Sequence, residues 1–350
     1  MKLSRLLRFS SSYAAGHELR GVGLNLTRRC NLSCSYCRIV DNSKAKARRE
    51  LSVAQWRDVI DRFVKHKHAH FIFTGGEPTL FRGLPDLVDH ASKRALTSMI
   101  SHTGLLDDAL FDRLRNLDFL CMSFDTMRGA ARPNDADGLQ KDPSQRLAYL
   151  AGKCRAHSIE LSAIVTVTSR NVDEIVPIAE LLDSHGVAVQ MSLIHSDPGH
   201  WDFRNHTPGL EFRTAEQHAA LSALAETLIG MRKRGVNIAE SEAWLRAMPE
   251  YAAGRFEIDC PAADPFVTVD YDGRIKACHD TPASDVSALE FTDIRAMRRE
   301  VRTTVKPGCN CLYDCYFEAR RGPAADLQRF ARRIRTTAMA SVRGASSALG

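Results

Sequence analysis

Three thiols stand close together near the start of the chain: Cys30, Cys34 and Cys37, spaced C-x3-C-x2-C. Three thiolates on a short loop can grip three irons of a cubane cluster and leave the fourth iron open to an exogenous ligand, where an all-cysteine cluster would use four. The competing reading is a zinc site, for which paired C-x2-C elements are commoner. The chain has ten cysteines. The segment MKLSRLLRFSSSYAAGHEL lacks the apolar core of a secretory signal, and no apolar run approaches a membrane span. The expectation is therefore a cytoplasmic protein, in which clustered cysteines mean metal or catalysis rather than disulfides. A second group, Cys260, Cys278, Cys309, Cys311 and Cys315, lies in the last third. Cys121 and Cys154 stand alone among apolar neighbours and read as small core residues.

A second constellation is Thr74-Gly75-Gly76-Glu77-Pro78. Its two glycines let backbone groups approach a ligand closely, and Glu77 offers an acceptor for an ammonium group. A tight strand-to-helix turn would explain the glycines alone. It would not explain why this turn and the cysteine loop both fall at the C-terminal ends of strands.

Those strands come from the hydrophobic pattern. Residues 21–27, 70–74, 96–101, 118–125, 159–168 and 187–195 read as short apolar or β-branched strands. Helical spacing fills 51–66, 84–95, 107–117, 144–158 and 172–186. Such β–α alternation predicts an α/β fold with a parallel sheet, its strands buried on both faces. The active rim of such sheets is the C-terminal end of the strands. After 196 the rhythm breaks. A helix is expected at 215–235, a hairpin at 265–278 turning at Asp272-Gly273, a helix at 291–301 and an arginine-rich helix at about 324–343.

CNLSCSYC followed by FTGGEPTLF resembles the radical S-adenosylmethionine superfamily, over roughly residues 20–195. The resemblance implies a partial (β/α)6 TIM-like barrel with a small C-terminal auxiliary-cluster domain. The expected division is 1–19 extension, 20–215 barrel, 216–320 helix plus auxiliary domain, and 321–350 basic tail. It also implies that Cys30, Cys34 and Cys37 bind a [4Fe–4S] cluster whose open iron is chelated by S-adenosylmethionine. By position, Tyr36 would flank the adenine, while Gly75, Gly76 and Glu77 would contact the methionine amino group. Ser123 would reach the nucleotide, with Asp125 completing an S-x-D motif, and Arg146 would pair with the carboxylate. Asn171 resembles an asparagine common after the fifth strand. Ser101-His102-Thr103-Gly104 departs from the usual Thr-Asn-Gly turn, so His102 receives no role.

Cys260 followed by Gly273-x4-Cys278 is similar to the opening of the auxiliary-cluster domains called SPASM and twitch. Five thiols suffice for one further [4Fe–4S] cluster, with Cys260, Cys278, Cys311 and Cys315 as expected ligands and Cys309 spare or exchanged for one of the last two. A four-cysteine zinc site has similar spacing.

Weaker signals complete the reading. The run from Lys65 to His70 reads as a solvated loop. His195, His200 and His206 leave the sixth strand on the active rim. Leu327, Phe330 and Ile334, ringed by Arg329, Arg332, Arg333 and Arg335, read as an amphipathic surface helix without membrane contact. A net charge of +6 suits anionic cofactors and calls for no nucleic acid. The expected enzyme abstracts hydrogen from a substrate carbon and takes electrons from a donor such as flavodoxin or ferredoxin. Only 29 residues precede Cys30. This favours a small-molecule substrate (a sugar, nucleoside or lipid precursor), with a peptide as the alternative. A non-catalytic iron–sulfur protein is the reading from another class.

Overall fold

The computed structural model describes residues 19, 21–32, 34, 36–37, 49–66, 70–127, 143–195 and 209–321. The C-terminal helix expected at 324–343, His200, His206 and His68 lie outside the described residues.

Six strands and the five α-helices between them run in order along the chain: β1 (Gly21–Asn25), α1 (Val53–Lys65), β2 (His70–Thr74), α2 (Leu84–Ser92), β3 (Leu96–Ser101), α3 (Asp108–Arg113), β4 (Phe119–Ser123), α4 (Pro143–Ala156), β5 (Glu160–Val167), α5 (Ile175–Ser184) and β6 (Ala188–Leu193). All six strands pair in parallel with their sequence neighbours. This is the partial barrel expected, and every strand stands within two residues of its expected bounds. Local chemistry sets the helix starts. Ser52 and Gln55 close a reciprocal capping box at α1, whose Trp56, Val59, Ile60 and Phe63 are buried at helical spacing.

The strands are not equally buried on both faces, as continuous apolar runs had suggested. Val22, Leu24, Phe71, Phe73, Leu120, Met122, Val165 and Val167 are sealed from solvent against the helices. Their alternates Gly23, His70, Ile72, Thr74, Ser123, Thr166 and Ser192 are only half-buried. The inner face mixes polar and apolar side chains: Gln190 Nε2 donates to Ser162 Oγ (2.8 Å) and His70 Nε2 lies 2.7 Å from Ser98 Oγ, while Ile72, Phe119 and Ile164 share that face. A lining of this kind keeps the barrel interior open to polar ligands.

Beyond α6 (Ala215–Lys233) and α7 (Glu242–Ala252), the expected hairpin is present as β7 (Phe266–Val269) and β8 (Ile275–Lys276). β7 pairs in parallel with β1, Gly21 opposite Phe266 and Leu24 opposite Val269, so the sheet runs β6-β5-β4-β3-β2-β1-β7-β8. At the other edge Val189 bridges Ile238. The residues after 215 thus extend both edges of the barrel sheet. Helix α7 has no counterpart in the sequence reading, and it carries Pro249, a residue that opposes helix locally, in its interior. Its signal was Ser241 as N-cap with Trp244, Met248 and Tyr251 at helical spacing.

α8 (Ile294–Arg302) and α9 (Asp314–Arg320) close the described chain. The cysteine segment before α9 docks through directed bonds. Trp244 Nε1 donates to Leu312 O (3.1 Å), Ser241 N to Glu318 Oε1 (3.0 Å) and Tyr316 Oη to Ala277 O (3.0 Å). Glu318 is 1% exposed. Glu318→Ala leaves the amide of Ser241, the N-cap of α7, without its acceptor. It should lower stability by about 1–3 kcal/mol, read as a reduced urea midpoint at unchanged slope.

Candidate active site

The cysteine loop leaves β1 through Thr27, Arg28 and Arg29, and the Gly-Gly turn leaves β2 directly beside it. Leu26 N donates to Thr74 O (3.0 Å), Gly76 N to Thr27 O (2.7 Å) and Glu77 N to Arg29 O (2.8 Å). A Cβ on Gly75 would stand 2.5 Å from Thr27 O, and one on Gly76 2.2 Å from Arg29 O. Gly75 also has φ 127°, which side chains rarely adopt. The close approach that the glycines serve is therefore to the stem of the cysteine loop itself. Glu50 holds the far end of that loop: its Oε1 accepts from Thr27 Oγ1 (2.5 Å) and Arg28 N (3.3 Å). Cys30, Cys34 and Cys37 are half-buried thiols, with Cys37 N donating to Cys34 O (2.9 Å).

Glu77 is 1% exposed and its carboxylate is fully engaged within the rim. It accepts from Thr79 N (3.1 Å), Thr79 Oγ1 (2.6 Å), Ser101 Oγ (2.8 Å) and His102 N (3.1 Å). His102, without a role in the sequence reading, is 7% exposed and joins three loops. Gly104 N donates to its Nδ1 (2.9 Å), which puts the ring proton on Nε2. That Nε2 lies 2.8 Å from Asn31 Oδ1 in the cysteine loop and 3.2 Å from Glu77 Oε2. Thr103 follows with φ 63°, fully buried, its hydroxyl without a partner. A β-branched residue in this region is strained, and such strain concentrates at functional rims. Arg146 braces the turn by donating to Thr103 O and to Leu106 O (3.0 Å), and burial pulls its pKa down.

Tyr36 reaches from the cysteine loop to the ends of β4 and β5, where its hydroxyl donates to Asp125 Oδ2. Asp125 Oδ1 accepts from Thr166 N (2.7 Å), and Asn171 Nδ2 donates to Asp125 O (2.8 Å) and Thr166 O (2.9 Å). Ser123, half-buried on the inner face, opposes Ile164 beside this cluster. The expected contact residues Tyr36, Gly75, Gly76, Glu77, Ser123 and Arg146 thus all stand on one rim.

The C-terminal thiols also converge. Cys309 and Cys311 pack with Cys260, Val305 and Tyr313. Hydrogen bonding to Cys309 and burial push the Cys260 thiol up, burial lifts Cys278 to about 12, and burial, together with Asp280, Cys278 and Cys309, raises Cys311. Among the described residues, no three Cys, His, Asp or Glu side chains meet tightly enough for a single ion. A cubane cluster asks for wider spacing, since each thiolate takes a different iron. Cys309, spare in the sequence reading, is the thiol in contact with Cys260. His195, at the end of β6, has a nearly buried ring edge-on to Tyr313 (4.3 Å) and 3.7 Å from Asp280 Oδ2. It faces the cysteine segment.

Residues 24–182 match the radical SAM superfamily. That stretch is a radical SAM domain, and the chain is an enzyme. Its cofactors are accordingly a [4Fe–4S] cluster and S-adenosylmethionine, and the donor set fits: three thiols on one rim loop, all ten cysteines in the thiol form. The chain is 27% identical over 279 residues to a PqqA peptide cyclase of Xanthomonas campestris pv. campestris, covering 78% of this chain and 70% of that protein. It is 26% identical to a probable GTP 3′,8-cyclase of Methanopyrus kandleri, covering 83% of this chain and 91% of that protein. Its fold is similar to that of Streptococcus suis SuiB bound to its precursor peptide SuiA (TM-score 0.59, 12% identity, 84% of this chain and 68% of that one). Among the described residues, no helix is long and apolar enough to cross a membrane.

Two glycine replacements should act in opposite directions. Gly76→Ala drives a methyl into Arg29 O and should cost the reconstituted enzyme its N-terminal iron, read as iron per chain. Gly152→Ala, on α4 with nothing within 4 Å, should raise stability by about 0.5–1 kcal/mol in thermal unfolding.

Proposed function

We propose that Cys30, Cys34 and Cys37 hold the [4Fe–4S] cluster, and that the chain is a peptide-modifying radical S-adenosylmethionine enzyme. When bound, the reduced cluster and S-adenosylmethionine supply a 5′-deoxyadenosyl radical that takes hydrogen from an unreactive carbon. The observation that carries the reading is the backbone contact between the Gly-Gly turn and the stem of the cysteine loop. It brings the three thiols, Tyr36 and the end of β2 to one rim over a partly polar interior. The chain's residues then bind and orient. The cysteine loop fixes the thiols, the 74–77 turn sets the backbone groups beside them, and Tyr36, Ser123 and Asp125 bound the nucleotide's side. The helix-packed outer face keeps water from the barrel wall, protecting a reactive species from quenching.

The peptide class is supported by the similarity to a peptide cyclase over most of this chain, against the small-molecule leaning taken from the short N-terminal segment. A nucleotide substrate is the second reading, favoured by the near-complete span of the GTP cyclase relative. For the auxiliary cluster, Cys260, Cys278, Cys309 and Cys311 are the proposed ligands: Cys309 and Cys311 pack with Cys260, and Cys278 lies within electrostatic reach of Cys311.

Alanine at Cys30, Cys34 and Cys37 together should abolish 5′-deoxyadenosine formation and leave about four irons of an initial eight or so. Cleavage at the wild-type rate would overturn the cluster assignment, and one zinc without iron would overturn the auxiliary cluster. Cys309→Ser should lose auxiliary iron and Cys315→Ser should keep it. A perdeuterated precursor peptide should pass deuterium into 5′-deoxyadenosine; transfer from deuterated guanosine triphosphate instead would select the nucleotide reading.

A further inference from the structure

The inner face of the sheet carries a polar pair where β1 and β7 end side by side. Leu24 is opposite Val269, so the next residues, Asn25 and Asp270, are neighbours at the active rim. Both belong to the inner set. Below them are Gly23 and Thr268, then Gly21 and Phe266: a Cβ on Gly23 would meet Thr268 Oγ1 at 3.1 Å, and one on Gly21 the Phe266 ring at 2.7 Å. Asn25 is 6% and Asp270 8% exposed.

Their hydrogen bonds leave a defined remainder. Asn25 Nδ2 donates to Asp270 Oδ1 (3.3 Å), which also accepts from Tyr271 N (3.1 Å). A carboxylate only accepts, so the Asn25 amide must turn its NH2 group towards it and its oxygen away. That oxygen, Asn25 Oδ1, is buried and has no partner. Among the described residues, the buried Asp270 carboxylate has neutral partners alone. The nearby guanidinium of Arg28 is instead stacked on the Tyr271 ring, 4.3 Å from its centroid, and that of Arg274 pairs with Asp272 (2.9 Å). A buried negative charge without a cation, beside an orphaned acceptor, is costly unless something brings a positive donor to it.

We infer that Asn25 and Asp270 form a cation-binding position for the substrate, taking a guanidinium or ammonium group; in a peptide this is an arginine or lysine side chain. The inference rests on the peptide reading only for the source of that group. Asp270 supplies the charge, Asn25 Oδ1 a second acceptor, and the two together suit a nitrogen group with several hydrogens. Their place at the end of β1, five residues before Cys30, sets the docked side chain at the rim where the chemistry occurs. The amino group of S-adenosylmethionine is the other possible source of such a cation.

The test uses the full chain with its clusters reconstituted, and calorimetric titration of two probes that differ in charge but not in shape: N-acetylarginine amide and N-acetylcitrulline amide. Wild-type protein should bind the arginine probe roughly tenfold or more tightly than the citrulline probe. Asp270→Asn keeps the acceptor for Asn25 and Tyr271 N while removing the charge, and should erase that preference. Equal binding of the two probes to wild-type protein, or no binding of either, overturns the inference without recourse to any variant. A loss that falls on S-adenosylmethionine titration in Asp270→Asn also overturns it, assigning the pair to the cosubstrate. Neither outcome touches the radical reading, which stands or falls with 5′-deoxyadenosine formation.

Discussion

The structure depends on one close contact: the backbone of Gly75 and Gly76 lying against Thr27, Arg28 and Arg29. Two rim turns from adjacent strands share three hydrogen bonds there, with no room for a side chain between them. The cysteine loop would otherwise be a long connection between β1 and α1, and long connections are entropically free to wander. Its stem is pinned at the Gly-Gly turn, and Glu50, ahead of α1, holds Thr27 and Arg28 at the same place. The rest of the rim adds to that contact. Glu77 gathers Ser101, Thr79 and His102, and His102 reaches back to Asn31 beside Cys30.

Around this contact the sheet divides its labour by face. The outer alternates are large, apolar and sealed by helices, so they supply the burial that holds the barrel together. The inner alternates mix glycine, serine, threonine, histidine and glutamine with apolar Ile72, Phe119 and Ile164. They leave a partly polar space beneath the rim, which an enzyme handling a charged nucleotide and a second substrate requires. β7 matters for the same reason. By pairing with β1 it adds Thr268 and Asp270 to the inner wall, next to the strand that launches the cysteine loop.

The C-terminal cysteines belong to this architecture and are not appended to it. Their segment is bonded to α7 through Trp244, Ser241 and Glu318, and the hairpin bearing Cys278 continues the barrel sheet. His195 at the end of β6 sits against Tyr313 of the cysteine segment. A second cluster there would be tied mechanically to the strands that carry the first.

Spacing along the chain determined much of this protein. The C-x3-C-x2-C loop, the Gly-Gly-Glu turn, the alternation of strands and helices and the Asp272-Gly273 hairpin are local patterns, and local patterns are legible because they depend on neighbours in sequence. What touches what was not legible. That the glycines face the cysteine stem, that His102 couples three loops, that Cys309 meets Cys260, and that Asp270 lies beside Asn25 all follow from strand order and register. Those pair residues up to 245 positions apart, and no periodicity encodes them. In helix α7, Pro249 opposes a helix locally, and the burial of Trp244, Met248 and Tyr251 against the rest of the fold outweighs it.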